Sequence, residues 1–203
     1  MKIGIVDYNA GNLRSVETAI KYLEYEYIIT SDPDKLIKTD RLIFPGVGES
    51  LSAMKTLKDK GLDQAIKNFY ASGKYVLGIC LGSQIVLEES EEGNAKCLGI
   101  IPGRVKRFSL EHKLKIPHMG WNKVYYDSAH PVFNGLPSGF SAYFVHSYYP
   151  SPQHKKNIIA VTEYGISFPS AVCRDNCIAF QFHPEKSGEY GLKLLSNFLS
   201  LKE

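Results

Sequence analysis

Long apolar runs, charge of one sign, a cysteine framework and low-complexity linkers are all missing from this sequence, and each absence removes a class of protein. No stretch approaches the length needed to span a bilayer, so no membrane role is expected. The N-terminal apolar run, Lys2 to Val6, is cut short by Asp7, too soon for a secretory signal core. A cytoplasmic protein is therefore the default expectation. Its 24 basic and 21 acidic residues leave a formal charge of +3, and the scattered Lys and Arg form no basic run that would argue for nucleic acid. The four cysteines are Cys80, Cys97, Cys173 and Cys177, in a mid-sized chain of 203 residues. They do not read as a disulfide scaffold. Partners at zinc-finger spacing are lacking too, so neither a metal nor a cofactor is expected. Cys173 and Cys177 stand an even number of positions apart in strand-like sequence, which predicts structural thiols on one face. With no repeat and no linker, residues 1–203 read as a single domain.

What is present alternates between strand and helix signals. Lys2 to Val6 ends in Asp-Tyr-Asn-Ala-Gly-Asn, which is loop chemistry. Leu13, Val16, Ile20 and Leu23 then recur at helical spacing. Tyr25 to Thr30 predicts a second strand, and Ser31-Asp32-Pro33 a helix start with Pro33 in its first turn. Arg41 to Phe44 and Tyr75 to Ile79 are further buried strands, with helix-like sequence from Glu49 between them and from Leu81 to Glu89 after them. Strand, crossover helix, strand implies a mainly parallel sheet covered on both faces. The second half is rich in β-branched and aromatic residues. Lys115 to Tyr126, Ala142 to Tyr149, Asn157 to Tyr164, Ser170 to Arg174 and Cys177 to Phe182 predict added, partly antiparallel strands before a closing helix from Glu189 to Leu201. The fold class is α/β.

Gly78-Ile79-Cys80-Leu81-Gly82 falls between a predicted strand and a predicted helix. A tight turn there, with small residues on both sides, holds a nucleophile above the sheet edge. The helix that follows favours a thiolate and leaves the Leu81 amide able to donate to an oxyanion. Taken alone, the pattern also fits a buried cysteine at a glycine-flanked strand end. Phe182-His183-Pro184-Glu185 supplies what a nucleophile needs: a base at the end of an apolar strand and a carboxylate two residues on to fix its tautomer. Pro45-Gly46-Val47-Gly48 is a third candidate, since glycine-flanked amides can turn toward developing negative charge. It lacks the Lys-Ser/Thr ending of a P-loop.

Gly-Ile-Cys-Leu-Gly-x-Gln with a distant His-Pro-Glu resembles the class I (triad) glutamine amidotransferases. The resemblance implies a flavodoxin-like fold and release of ammonia from glutamine through a cysteinyl thioester. It implies Cys80 as nucleophile, His183 as general base and acid, Glu185 as orienting group, and oxyanion donors at Leu81 and Val47-Gly48. Gln84 matches the motif glutamine that contacts the substrate, with Gly48, His146, Ser147 and Tyr148 beside it.

Asp7 to Leu13, Pro117-His118-Met119-Gly120-Trp121-Asn122, Tyr143 to Tyr148 and Phe182 to Ser187 are together similar to one subgroup, the glutaminase subunits of imidazole glycerol phosphate synthase. The resemblance implies a heterodimer with a (β/α)8-barrel cyclase that uses the ammonia in histidine biosynthesis. It puts Asn12, Met119, Trp121 and Lys186 at the docking surface. From the residues alone, Met119 and Trp121 read rather as core, being apolar side chains in strand-like sequence, and His146 can be read as a polar strand end. Ser83, Asn9 and Glu49 depart from the subgroup's common residues. Three other readings stay open: a related synthase that amidinates a sugar for surface polysaccharide, a non-catalytic scaffold, and a cysteine peptidase on the same fold.

Overall fold

A computed structural model describes residues 1–9, 13–109, 114–127 and 129–202. In chain order the strands and helices are β1 (Lys2–Val6), α1 (Leu13–Tyr22), β2 (Glu26–Thr30), α2 (Pro33–Leu36), β3 (Arg41–Gly46), α3 (Ser50–Asp59), α4 (Leu62–Ala71), β4 (Val76–Cys80) and α5 (Leu81–Ile85). There follow β5 (Glu89–Ser90), β6 (Ala95–Lys96), β7 (Gly103–Arg107), β8 (His118–Val124), β9 (Phe140–His146), β10 (Tyr148–Pro152), β11 (Ile158–Tyr164), β12 (Ile166–Arg174), β13 (Cys177–Phe180) and α6 (Gly188–Leu199).

The main sheet runs β11-β12-β13-β4-β3-β1-β2. From β13 through to β2 every pair is parallel, whereas β12 and β11 add antiparallel. The mainly parallel sheet with an antiparallel extension is thus the one expected. Period-two alternation divides its side chains between two cores. Ile3, Ile5, Ile43, Leu77, Ile79, Ile178 and Phe180 pack on one face. Val6, Leu42, Phe44, Val76, Cys177 and Ala179 pack on the other. Helix α1 lays Val16, Ala19 and Ile20 on the first core. Val16 and Ile20, both fully buried, each contribute about 1.5–3 kcal/mol of transfer free energy. Pro33 opens α2 as expected, with the Asp32 carboxylate accepting from the Asp34 amide. Among the described residues no helix is long and apolar enough to cross a membrane.

Three expectations are corrected. The helix after Cys80 ends at Ile85 and not at Glu89. The chain returning through Leu98 to Ile101 donates to the carbonyls of Ile85, Leu87 and Val86, which are then lost to a continuing helix. The strand foreseen from Ala142 to Tyr149 divides at Ser147. β9 pairs with β8 in a separate two-stranded leaf, while β10 joins β7, β5 and β6 in a small second sheet. Finally, Cys173 and Cys177 belong to different strands of a tight hairpin, with Arg174 opposite Cys177. Their thiols enter opposite cores, Cys173 the first and Cys177 the second.

Candidate active site

The parallel register brings the reactive groups to one sheet edge. Gly46 lies opposite Cys80 across β3 and β4, and Ile79 lies opposite Phe180 across β4 and β13. One step further, Cys80 faces the level of Gln181, and His183 follows two residues later. Cys80 adopts φ 54°, ψ −107°, far from any relaxed region for a residue with a side chain. The flanking glycines make this turn possible. A Cβ on Gly78 would sit 2.8 Å from the Gly82 carbonyl oxygen, and one on Gly82 would collide with the carbonyl oxygen of Phe44. Ser83 caps the elbow from inside, its hydroxyl donating to the Cys80 carbonyl at 2.7 Å. The departure from the subgroup pattern at Ser83 therefore has a hydrogen-bonding role here.

His183 and Glu185 are held by the 3-10 turn Pro184–Lys186. His183 Nδ1 lies 2.7 Å from Glu185 Oε1, and both side chains are 3% exposed. Ser187 Oγ donates to the His183 carbonyl at 2.6 Å and accepts from the Tyr143 amide at 3.0 Å, while the His183 amide donates to the Tyr143 carbonyl at 2.9 Å. The imidazole thus hangs from β9 as well as from its own turn. Burial works against a charge on His183. Its hydrogen-bonding and Coulombic contact with Cys80 and Glu185 nevertheless wins, and its pKa is pushed up to about 10. Its Nε2 is buried and closes no hydrogen bond of normal geometry. The sulfur lies 3.9 Å from the Val145 carbonyl oxygen and 3.9 Å from Gln181 Nε2.

A cavity of about 390 Å³ opens over Cys80, lined by Val47, Gly48, Leu81, Gln84, Val145, His146, Ser147 and Tyr148, with Glu92 and Pro117. Every residue predicted for the oxyanion hole and for glutamine is therefore at this cavity. Two of them meet it with nitrogen atoms already hydrogen-bonded. Gln84 Nε2 donates to the Tyr148 carbonyl at 2.9 Å and to Gln181 Oε1 at 3.0 Å. His146 Nδ1 donates to the same carbonyl at 2.7 Å, and its Nε2 lies 2.9 Å from His118 Nδ1. Gly48 has φ 103°, which a side chain would resist.

Met119 and Trp121 are surface residues, 66% and 61% exposed, on the outer face of β8. Tyr143, across the leaf from Trp121, lies between that tryptophan (ring centroids 6.2 Å apart) and the Lys186 ammonium (5.9 Å from its ring). Met119 and Trp121 thus stand exposed on one face, with the half-buried Lys186 reached across Tyr143, and Asn12 lies outside the described residues. Sequence reasoning passed over Gln181, Ser187, Glu92 and Tyr8. The Tyr8 hydroxyl is buried without a hydrogen-bond partner, and burial together with the Cys80 charge raises its pKa.

The sequence matches the family described as glutamine amidotransferase class-I over residues 5–201, and the chain belongs to that family. Among curated relatives, the imidazole glycerol phosphate synthase subunit HisH of Dehalococcoides mccartyi is 49% identical over 200 residues, 98% of this chain and 97% of that protein. The HisH subunit of Nitrosomonas europaea is 46% identical over 206 residues, 97% of each. Within the class, the chain falls in the HisH group. A solved glutamine amidotransferase superposes with a TM-score of 0.76 at 20% identity, over 97% of this chain and 96% of that one. PurLQS from Thermotoga maritima does so with 0.76 at 18%, over 98% and 97%. At these identities the two structures speak for the fold alone.

Proposed function

We propose that this chain is the glutaminase subunit of an imidazole glycerol phosphate synthase, acting in histidine biosynthesis. The observation that carries the reading is the strained Cys80 elbow at the end of β4, set beside the His183–Glu185 pair at the end of β13 and under a cavity. His183 takes the thiol proton, with Glu185 fixing the Nδ1–H tautomer and supporting the imidazolium. The Cys80 thiolate attacks the carboxamide carbon of glutamine. Negative charge on the carbonyl oxygen is met by the amides of Leu81 and the Val47-Gly48 segment. The imidazolium returns its proton to the departing nitrogen, ammonia leaves, and a thioester joins Cys80 to the glutamyl group. Water, deprotonated by the same imidazole, then cleaves the thioester to glutamate and restores the thiol.

The substrate wall is built from Gly48, Gln84, Ser147 and Tyr148. His146 contributes by holding the Tyr148 carbonyl, since neither ring nitrogen is left for a ligand. Residues 1–203 act as one amidotransferase domain, in the cytoplasm, without a metal or cofactor of its own. The exposed Met119 and Trp121 and the half-buried Lys186, with Asn12, dock a (β/α)8-barrel cyclase in a heterodimer. The ammonia then goes into imidazole glycerol phosphate and an aminoimidazole carboxamide ribotide. The likeness to HisH subunits over nearly the full chain favours this acceptor over a sugar.

The test is glutamine hydrolysis with the candidate cyclase and its nucleotide ligand present, set beside the chain alone. Hydrolysis that is low alone and rises with the liganded partner, with Cys80 labelled by a glutamine-analogue electrophile, is the expected result. Labelling of another cysteine, or equal rates in both conditions, would overturn it.

A further inference from the structure

Two buried histidines on the β8–β9 leaf move no proton in the hydrolysis just described. His118 and His146 stand directly opposite each other in the antiparallel register. Phe108, Phe144, Tyr164 and Phe168 surround the pair, and the His118 ring stacks on Tyr164 with centroids 4.0 Å apart. Such a box admits a polar pair only if its hydrogen bonds are closed.

They are closed, and their direction is forced at both ends. Asn122 Oδ1 accepts from the Lys123 amide at 2.7 Å, so its Nδ2 points the other way. One Nδ2 hydrogen goes to the Glu163 carbonyl at 2.9 Å, and the other meets His118 Nε2 at 3.2 Å. His118 Nε2 is therefore an acceptor, and its Nδ1–H donates to His146 Nε2. At the far end the Tyr148 carbonyl can only accept, so His146 carries its proton on Nδ1. Both rings are neutral, with one tautomer each. Burial agrees, holding His118 at about 4 and His146 at about 3, the latter against the upward pull of its hydrogen bond to the Tyr148 carbonyl. From the Tyr148 carbonyl the contacts continue through Gln84 Nε2 and Gln181 Oε1 to Gln181 Nε2, 3.9 Å from the Cys80 sulfur.

The geometry points to His118 and Asn122 as positioning residues for the glutamine pocket: by locking the tautomer of His146 they hold the Tyr148 carbonyl, and with it Gln84 and Gln181, in register with Cys80. Neither residue lines the cavity, and each acts through His146. This deepens the proposed glutaminase reading and rests on it. The chain of bonds also begins on the strand whose outer face carries Met119 and Trp121, so the pocket wall and the exposed patch share one backbone.

The experiment uses the complex with the candidate cyclase and its nucleotide ligand. His118→Phe keeps an aromatic ring against Tyr164 and removes both hydrogen bonds. It should raise the KM for glutamine about tenfold while kcat stays within threefold. His118→Asn retains a donor near the former Nδ1 and should bring KM back to within threefold of the parent. Asn122→Leu, at a partly exposed site, should raise KM about threefold. It decides the matter should His118→Phe fail to fold. In the unmodified protein, ¹⁵N spectra should show both imidazoles protonated on Nδ1 alone, and His118→Phe should release that restriction at His146. A KM within twofold of the parent in folded His118→Phe and Asn122→Leu, or an Nε2-protonated His146 in the unmodified protein, would overturn the proposal. Failure of the glutaminase reading itself looks different. The unmodified complex would then neither hydrolyse glutamine nor be labelled at Cys80, whatever the tautomers.

Discussion

Backbone strain at Cys80 can be measured without any assay of turnover. The perturbation is a comparison of Cys80→Ala with Cys80→Gly, both of which remove the thiol. At an ordinary buried position glycine is the worse choice. It loses about 0.5–1 kcal/mol in backbone entropy relative to alanine and about 0.8 kcal/mol for one buried methyl group. Cys80, 6% exposed, would by that reckoning leave Cys80→Gly behind by about 1.5 kcal/mol. With φ 54° and ψ −107°, however, any residue with a Cβ carries strain that glycine does not. That strain is worth about 1–3 kcal/mol. Central values then place Cys80→Gly ahead by about 0.5 kcal/mol, a reversal of about 2 kcal/mol against the ordinary case. Equilibrium guanidinium unfolding reads the difference as a change of midpoint at constant slope. For a chain of this size each kcal/mol is also about 2–4 °C in Tm. If Cys80→Gly proves less stable than Cys80→Ala by 1 kcal/mol or more, the elbow is not strained and the reasoning fails.

Glu185→Gln removes a carboxylate from a buried, charge-assisted hydrogen bond worth about 1.5–3 kcal/mol. With Glu185 outside the cavity lining, kcat should fall about 10- to 100-fold with KM within twofold, as steady-state kinetics on the activated complex will show. Gly82→Ala drives a methyl into the Phe44 carbonyl and should lower the unfolding free energy by about 3 kcal/mol, or prevent soluble expression. Trp121→Ala, at an exposed site, should leave Tm unchanged within about 1 °C. It should weaken cyclase binding about 30-fold by titration calorimetry. Acid stability depends on the two neutral histidines, whose folded pKa values lie below the unfolded 6.5. Their contribution is whole above pH 6.5 and is lost as pH falls toward about 4 and about 3, because the unfolded chain binds more protons in that window. His118→Phe should therefore flatten the stability profile between pH 6 and 4.5 by about 1 kcal/mol per pH unit in urea titrations. His183 acts in the opposite sense, its contribution being whole below 6.5 and lost as pH rises through about 10.

Local chemistry made much of this legible. Gly78-Ile79-Cys80-Leu81-Gly82 and His183-Pro184-Glu185 carry their geometry within a few residues, and alternation exposed the buried strands. What escaped depends on distant partners. Val86 and Leu87 are apolar enough to continue α5, and only the return of residues 98–101 removes their carbonyls from the helix. Cys173 and Cys177 mislead because a two-residue turn intervenes, so counting positions along one strand no longer reports the face. Gln181 reaches Gln84 across 97 positions and Cys80 across 101, and no short motif encodes such meetings. His146 was found beside the substrate segment, but its commitment to His118 follows only from the β8–β9 register.

The leaf formed by β8 and β9 is a sheet of its own, joined to the elements around the nucleophile by the bridges Tyr125–Val161 and Tyr143–His183. Its inner side carries His118 and His146 behind the pocket, whereas Met119 and Trp121 are exposed on its outer side. With the proposed cyclase docked on that outer side, sequence drift there would redirect the released ammonia to a different client and leave the hydrolytic chemistry intact.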